Sequence, residues 1–231
     1  MSAARQLYEL CGTDPARIFS PYCWRSRMAL AQKGLDFESM PWRFTETDRL
    51  SFAGHDKVPV LVDGARTIAD SWAIAQYLDE AYPDAPSLLR GNPEPYLFVA
   101  AWNDTVLQAG IARLIVSDIP PLLAPEHAAY FHASREKRFG MTLAEVTAGR
   151  EEKLPAFRAT LAPLRQALKG RGFLGGDAPD YADHIVFGSF MWARSTSPLR
   201  LVEPDDAIHA WRERMLDLFG GMARRAPCFG A

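Results

Sequence analysis

The chain has 231 residues, of which 48% are hydrophobic and 23% are charged, a balance typical of an ordinary globular protein with a substantial core. Its 26 basic and 28 acidic residues nearly cancel, for a net charge of -2, and Lys and Arg are scattered along the chain. This pattern lacks the electrostatic footprint of a nucleic-acid binder and favours a small-molecule partner.

The first residues, MSAARQLYELCG, contain no long apolar run of the kind found in signal peptides, and no later apolar run is long enough to cross a bilayer. We therefore expect a cytoplasmic protein without a membrane partner. The three cysteines, Cys11, Cys23 and Cys228, lie far apart and cannot all pair. Reduced thiols are expected rather than a disulfide framework.

The first part of the chain mixes short strand-like runs with helices. QLYEL and FESMPW are predicted strands on either side of a predicted helix over residues 21–33. VPVLVDGARTIA predicts a hairpin, because Asp63-Gly64 divides two β-rich pieces. A helix is predicted from Ser71 to Tyr82. The predicted order is β-α-β followed by β-β-α.

The second part has almost entirely helical signals. Apolar residues recur near the helical period over residues 96–117, interrupted on that face by Asp104, and one amphipathic helix is predicted over residues 150–168. Asp180 and Asp183 frame a variant capping box before another helix. The last helix is predicted from about Pro204 to Met222. We predict two domains: residues 1–84 are mixed α/β, residues 85–95 are a linker, and residues 96–231 are all-helical.

Ser20 stands three residues before Cys23, where a C-x-x-C redox motif would have its first cysteine. Ser20-Pro21 is a typical helix start, so the serine can be simply an N-cap. The same geometry also suits a thiolate ligand, because a helix N-terminus favours an anion and a hydroxyl can donate one more hydrogen bond to sulfur. Both interpretations remain open at this point. Cys23 is interpreted as a small buried hydrophobe, since it lacks a resolving partner.

Two further stretches can carry binding chemistry. Pro59 in KVPVLVDG must lie at a strand's first residue or at an edge, where the preceding backbone can pair with an extended peptide or simply enter the strand. Asp70-Ser71 precedes a helix and can be another N-cap. As a site, it suits the α-carbon end of an amino acid, because the helix N-terminus and Ser71 accommodate a carboxylate and Asp70 accommodates an ammonium.

Other chemistries lack a motif in this sequence. His127 and His132 are five residues apart and the remaining histidines are isolated, so no metal site is expected. No Walker loop, dinucleotide fingerprint or nucleophile elbow occurs, and phosphate cofactors are not indicated.

Taken in order, SPYC, the VPV strand, DSWAIAQYLDEAYP and the helical second half resemble the glutathione S-transferase superfamily over essentially the whole chain. The resemblance is closest to its serine-containing bacterial branch, which includes the β-etherases that cleave lignin-type aryl ethers. The segments FSPYCWRSRMALAQKGLDFE, KVPVLVDG and DSWAIAQYLDEAYPDAPSL carry this closer match, together with FGMTLAEVTAGREEKLP and FLGGDAPDYADH.

The resemblance implies a thioredoxin-like α/β N-terminal domain docked on an all-α C-terminal domain, with glutathione bound to the first and an electrophile between the two. Ser20 would take the position of the thioredoxin-fold cysteine and activate the glutathione thiol. Val58, before a cis Pro59, would pair with the cysteinyl backbone of glutathione. Asp70 and Ser71 would hold the γ-glutamyl end, and Lys57 the glycyl carboxylate.

The resemblance also implies a homodimer, with the helix over residues 96–117 near the interface. Asp104 on the apolar face of that helix would then need a partner such as an arginine, or would face the open cleft. Trp102, Val106, Arg113 and Trp192 are candidates for the electrophile pocket.

The expected activity is glutathione attack on an aromatic or hydrophobic electrophile, in detoxification or aromatic catabolism, with β-aryl ether cleavage as one form of it. A non-catalytic glutathione or ligand-binding module and a glutaredoxin-like thiol transferase acting through Cys23 are the alternatives. Three features depart from the superfamily pattern. Asp70 is shorter than the common glutamate, residues 43–56 show no clear helix, and residues 118–149 form an elaborated connection.

Overall fold

A four-stranded sheet with two helices forms the first part of the protein, in a computed structural model that describes residues 5–229. The strands are β1 (Arg5–Leu10), β2 (Phe37–Trp42), β3 (Val60–Asp63) and β4 (Arg66–Ala69), in the sheet order β2-β1-β3-β4. β1 pairs in parallel with β2 and antiparallel with β3, and β4 pairs antiparallel with β3. Pro41 is tolerated within β2 because that strand lies at the edge of the sheet.

Both helices of this part begin at polar caps. α1 (Pro21–Gln32) follows Ser20, with a proline at its first position, and α2 (Ser71–Ala81) follows Asp70. A short 3₁₀ helix, Thr47–Ala53, lies between β2 and β3 and buries Leu50. The predicted order of strands and helices is confirmed. The hairpin loop is Gly64-Ala65, one residue later than predicted, because Asp63 still pairs with Arg66.

The rest of the described chain is helical. Its helices are α3 (Glu94–Trp102), α4 (Gln108–Ile115), α5 (Pro125–Phe139), α6 (Leu143–Thr147), α7 (Arg150–Thr160), α8 (Ala162–Leu168), α9 (Tyr181–Thr196) and α10 (Ala207–Gly221). A π-helical turn, Asn103–Leu107, joins α3 to α4. The capping box predicted at Asp180 and Asp183 is present at the start of α9.

Two helix predictions are wrong in detail. Residues 150–168 form two helices rather than one, because Pro163 has no N–H for the carbonyl of Ala159 and the chain breaks at Leu161. The final helix begins only at Ala207, after the cap Asp206, and its backbone is non-helical from Leu218 to Gly220.

The sheet domain and the helical part are in close contact along α1 and α9. At Gly188 of α9, an added Cβ would lie 2.4 Å from the carbonyl oxygen of Pro21, so only glycine allows this approach. Trp24 and Met28 of α1 belong to the core of the helical part. The first turn of α1 is therefore held at the boundary between the two parts, and Ser20 with it.

Candidate active site

Ser20 occupies the N-terminal cap of α1. Its Oγ accepts a hydrogen bond from the backbone N–H of Cys23 at 3.4 Å, and the residue is 5% exposed. The small exposed fraction faces a cavity of about 450 Å³. The Ser20 hydroxyl donates to no group within residues 5–229, so its proton remains for a ligand. The serine is thus an N-cap and a cavity-facing hydroxyl at once.

The cavity lies between the sheet domain and the helical part. Leu10, Phe19, Pro21, Tyr22 and Phe44 line it from the sheet domain, and the helical side contributes Asp104, Gln108, Ala109, Ala112, Arg113, Val116, Ile119, Phe131, Arg135, Arg138, Phe139 and Trp192. Such a concave space, which combines aromatic and aliphatic walls with several polar and charged groups, is typical of a small-molecule site.

Cys23 lies behind Ser20 and away from the cavity. It is 0% exposed, and its Sγ accepts a hydrogen bond from the backbone N–H of Leu10 at 3.5 Å. Burial raises the pKa of the Cys23 thiol to about 12. A thiol that is buried and protonated at neutral pH is not a nucleophile, which supports the interpretation of Cys23 as a buried hydrophobe.

The sequence left two possibilities for Asp104, an arginine partner or a position facing the open cleft. The structure shows both, since Asp104 has its partner in the same chain and also faces the cavity. Its carboxylate accepts hydrogen bonds from Arg25 at 2.6 Å, from Gln108 at 3.0 Å and from the Tyr22 hydroxyl at 3.3 Å. Burial, with Asp104 close by, raises the pKa of Tyr22. The π-helical turn, a feature frequent at functional sites, carries Asp104.

The predicted glutathione residues meet at one end of the β3–β4 hairpin. The peptide bond between Val58 and Pro59 is cis, and the carbonyl of Pro59 accepts a hydrogen bond from the N–H of Asp70 at 3.1 Å. No group among the described residues hydrogen-bonds to the backbone of Val58. Its N–H and C=O are therefore available to an extended peptide.

The same hairpin end lies near Ser20. β3 is antiparallel to β1, with Val60 opposite Tyr8, so continuing the register brings Val58 next to Leu10. The carbonyl of Leu10 accepts from the N–H of Phe19, at 3.1 Å, directly before Ser20. Tertiary pairing thus brings together residues that are distant in sequence, at one end of the two central strands.

Asp70 adopts a strained backbone conformation. Its φ of 80° and ψ of 137° are unusual for a residue with a Cβ, and such outliers cluster at functional sites. Its Oδ1 caps α2 through the N–H groups of Trp72 at 2.8 Å and Ala73 at 3.2 Å. Ser71 beside it is 2% exposed, and its carbonyl accepts from Tyr181 at 2.6 Å.

Two of the four residues predicted for the electrophile pocket line the cavity, and two do not. Arg113 and Trp192 line the cavity, whereas Trp102 and Val106 do not; Trp102 packs against the core of the helical part. Lys57 is exposed, and its backbone contacts His55. Ser20 is the one predicted glutathione-site residue that lines the cavity itself.

Helix α5 supplies cavity residues that the sequence interpretation missed, since it treated residues 118–149 as a connection. Phe131, Arg135 and Phe139 recur every four residues, Pro125 starts the helix and Gly140 ends it with a φ of 71°. These are recognisable helix signals. They could have indicated an amphipathic helix with an aromatic and basic face.

The described part of the chain shows neither a metal site nor a membrane span. Within residues 5–229, His, Cys, Asp and Glu side chains form no group of three or more that could hold a metal ion. No helix in the described part combines the length and apolar character needed to cross a membrane.

The buried His184 lies away from the cavity. Burial lowers its pKa to about 3, and its Nε2 lies 2.7 Å from the side-chain oxygen of Gln32.

Comparison with known proteins gives a consistent result. Residues 96–213 match the family model described as glutathione S-transferase, C-terminal domain, and residues 19–81 match glutathione S-transferase, N-terminal domain. A probable glutathione S-transferase of rice (Oryza sativa subsp. japonica) is 27% identical over 208 residues, which cover 84% of this chain and 80% of the rice protein.

Solved structures confirm the predicted fold class. A glutathione S-transferase of Ceriporiopsis subvermispora, solved in complex with glutathione, is similar with a TM-score of 0.81 and 21% identity over 96% of this chain and 100% of that chain. A glutathione transferase of Phanerochaete chrysosporium has a TM-score of 0.74 and 26% identity, covering 95% and 94% of the two chains.

Proposed function

Since the chain belongs to the glutathione S-transferase family, we propose that it binds glutathione as a co-substrate next to Ser20 and activates its thiol for attack on an electrophilic carbon. The observation that carries this proposal is the Ser20 hydroxyl, which lies at the N-terminus of α1 and faces the cavity between the two parts. The chain supplies no accessible thiol of its own there, and glutathione brings one.

Ser20 and α1 stabilise the glutathione thiolate. The free N–H groups and the dipole of a helix N-terminus favour an anion, and the Ser20 hydroxyl donates a hydrogen bond to the sulfur. Lowering a thiol pKa by one unit requires about 1.4 kcal/mol of preference for the anion, which one charge-assisted hydrogen bond can supply. The thiol proton leaves to solvent. The sulfur then forms the new C–S bond as the leaving group departs with its electron pair.

The hairpin end orients the rest of glutathione. In this proposal the free N–H and C=O of Val58, before cis Pro59, pair with the cysteinyl backbone. Asp70 and Ser71 hold the γ-glutamyl end, and Lys57 reaches the glycyl carboxylate. Oδ2 of Asp70 remains for the ammonium, since Oδ1 caps α2. Fixing the tripeptide in this way places its sulfur against the electrophile, and positioning supplies much of the acceleration.

Titration of bound glutathione tests the proposal. We expect the ultraviolet absorbance of the thiolate to appear at lower pH in the complex than in free thiol, whose pKa is about 8.5. The conjugation rate should rise with pH through this lowered pKa and then level off, because the thiolate is the nucleophile. If bound glutathione titrates like the free thiol, the protein is instead a non-catalytic glutathione-binding module.

An aromatic or hydrophobic electrophile suits the cavity, whose walls include Phe19, Phe44, Phe131, Phe139 and Trp192. β-Aryl ether cleavage is one such reaction: the thiolate attacks the β-carbon, the C–O bond breaks and an aryloxide leaves. We expect a model β-aryl ether incubated with enzyme and glutathione to yield free phenol and a glutathione thioether in equal amounts, measured by chromatography. Conjugation of aryl halides without phenol release from the ether would exclude this form of the activity.

We further propose that the protein acts as a cytoplasmic homodimer. The exposed apolar residues Leu97 and Phe98 of α3, at 45% and 76% exposure, support a partner surface on this helix.

A further inference from the structure

We propose that the cavity selects an aromatic electrophile that carries a negative charge, with Arg135 and Arg138 of α5 holding the anionic group. The inference rests on the proposed function, because it names the substrate class of the same site.

The cavity has an excess of positive charge. Arg113, Arg135 and Arg138 line it, and Asp104 is its one carboxylate among the described residues. Asp104 is already paired with Arg25 at 2.6 Å. Within residues 5–229 no carboxylate forms an ion pair with any of the three lining guanidiniums, and this excess of positive charge favours a ligand with negative charge.

Arg135 is the most informative of the three. Its guanidinium lies over the rings of Phe131 and Phe44, 4.8 Å and 5.5 Å from their centroids. Among the described residues it donates one hydrogen bond, to Ser134 Oγ at 3.0 Å, although a guanidinium has five N–H donors. Burial lowers the pKa of Arg135. No carboxylate of residues 5–229 lies within ion-pair distance of it.

Several buried or partly buried arginines elsewhere in this protein pair with a carboxylate, and two others, Arg17 and Arg194, donate to backbone carbonyls. Arg25 pairs with Asp104, Arg27 with Glu9 at 3.2 Å, and Arg165 with Asp206 at 2.7 Å. Desolvating an arginine without a counter-charge is unfavourable. Among the described residues Arg135 has neither kind of acceptor and donates to Ser134 Oγ alone; a negatively charged ligand would supply the missing partner.

The helical spacing of α5 combines the charge with an aromatic surface. Phe131, Arg135 and Phe139 follow at intervals of four residues, and Arg138 follows Arg135 by three, so all four lie on the side of α5 that lines the cavity. Arg113 of α4 lies 6.0 Å from the ring of Phe139. A ligand that stacks on these rings and carries a carboxylate can place that carboxylate against a guanidinium.

Glutathione also carries carboxylates, but the residues proposed to bind them lie elsewhere. Lys57 and Ser71, proposed to hold these carboxylates, belong to the sheet domain, and neither lines this cavity. The anion expected at α5 therefore belongs to the electrophile.

Calorimetric titration without glutathione separates this inference from the transferase proposal. The probes are 1-naphthoate and 1-naphthamide, which share shape but differ in charge. We expect the wild-type protein to bind naphthoate at least about tenfold more tightly, the value of one charge-assisted contact. Arg135→Met and Arg138→Met should each remove most of this preference, and Arg135→Lys should keep part of it. Lys137→Met, an equal loss of charge on the exposed side of α5, should leave it intact.

Two results would overturn the inference. One is equal affinity of the wild-type protein for naphthoate and naphthamide. The other is a weaker affinity for glutathione in Arg135→Met with an unchanged naphthoate preference, which would assign Arg135 to glutathione. Arg138 is exposed, so its variant keeps the test valid if Arg135→Met fails to fold. Failure of the thiolate titration would leave the naphthoate result unaffected.

Discussion

Replacing Ser20 with alanine is expected to lower kcat/KM for glutathione conjugation by about 10²- to 10³-fold, the usual effect of removing one preorganised donor to a developing or stabilised anion. The affinity for glutathione should change much less, because the hairpin end at Val58 and Asp70 supplies the proposed backbone contacts. The pKa of bound glutathione should return towards that of the free thiol. The variant also loses the cap bond to Cys23, at a cost of about 1 kcal/mol of stability.

Steady-state kinetics and the thiolate titration, run on the same preparations, measure these effects. Ser20→Thr keeps a hydroxyl that can cap α1 and should restore part of the activity. Ser26→Ala is the matched control, because Ser26 is also buried in α1 but does not line the cavity. Its hydroxyl lies 3.5 Å from the carbonyl oxygen of Tyr22 in the same helix. Near-wild-type conjugation by Ser20→Ala would show that the hydroxyl does not activate the thiol.

Replacing Asp183 with alanine is expected to lower the free energy of unfolding by about 3 to 4 kcal/mol. The carboxylate is 0% exposed and accepts from the N–H groups of Leu174 at 2.8 Å, Gly175 at 2.9 Å and Asp180 at 3.1 Å, and from Trp211 Nε1 at 2.8 Å. Burial raises the pKa of Asp183 despite these donors. Alanine would leave four buried donors without an acceptor, at the junction of α9, α10 and the preceding loop.

Urea unfolding followed by circular dichroism measures the loss. Asp177→Ala is the control, because Asp177 lies on the same loop but is exposed, and its change should stay within about 0.5 kcal/mol. The stability of Asp183→Asn should lie between those of the wild type and Asp183→Ala. The amide oxygen can still accept, but the amide NH₂ group would face N–H donors. A loss in Asp183→Ala no larger than in the control would mean that the loop and α9 are held mainly by apolar packing.

Local signals in the sequence predicted the parts of the fold that depend on neighbours in the chain. Ser20-Pro21 and Asp180 with Asp183 marked helix starts correctly, because capping involves residues only two or three positions apart. The break at Leu161 was missed although Pro163 encodes it. Helix α5 was missed because its apolar residues are few and its exposed face is rich in charge.

The candidate site depended on more distant relations. The approach of Val58 and Asp70 to Ser20 is set by the pairing of β3 with β1 and β4, which links residues about forty to fifty positions apart. Asp104 could be seen to need a partner, but nothing within its own helix identified Arg25. Likewise, the basic character of the cavity arises only when α4 and α5 face the same space.

The sequence alone determined the order of strands and helices, the caps and the family resemblance, because backbone preferences and hydrophobic periodicity act over a few residues. Only the tertiary structure decided which side chains share the cavity, that Ser20 faces its opening, and that Arg135 lies there without a carboxylate partner among the described residues. These properties depend on burial and on contacts between separate elements. No local pattern carries them, since desolvation and charge pairing are set by whichever groups the folded chain brings together.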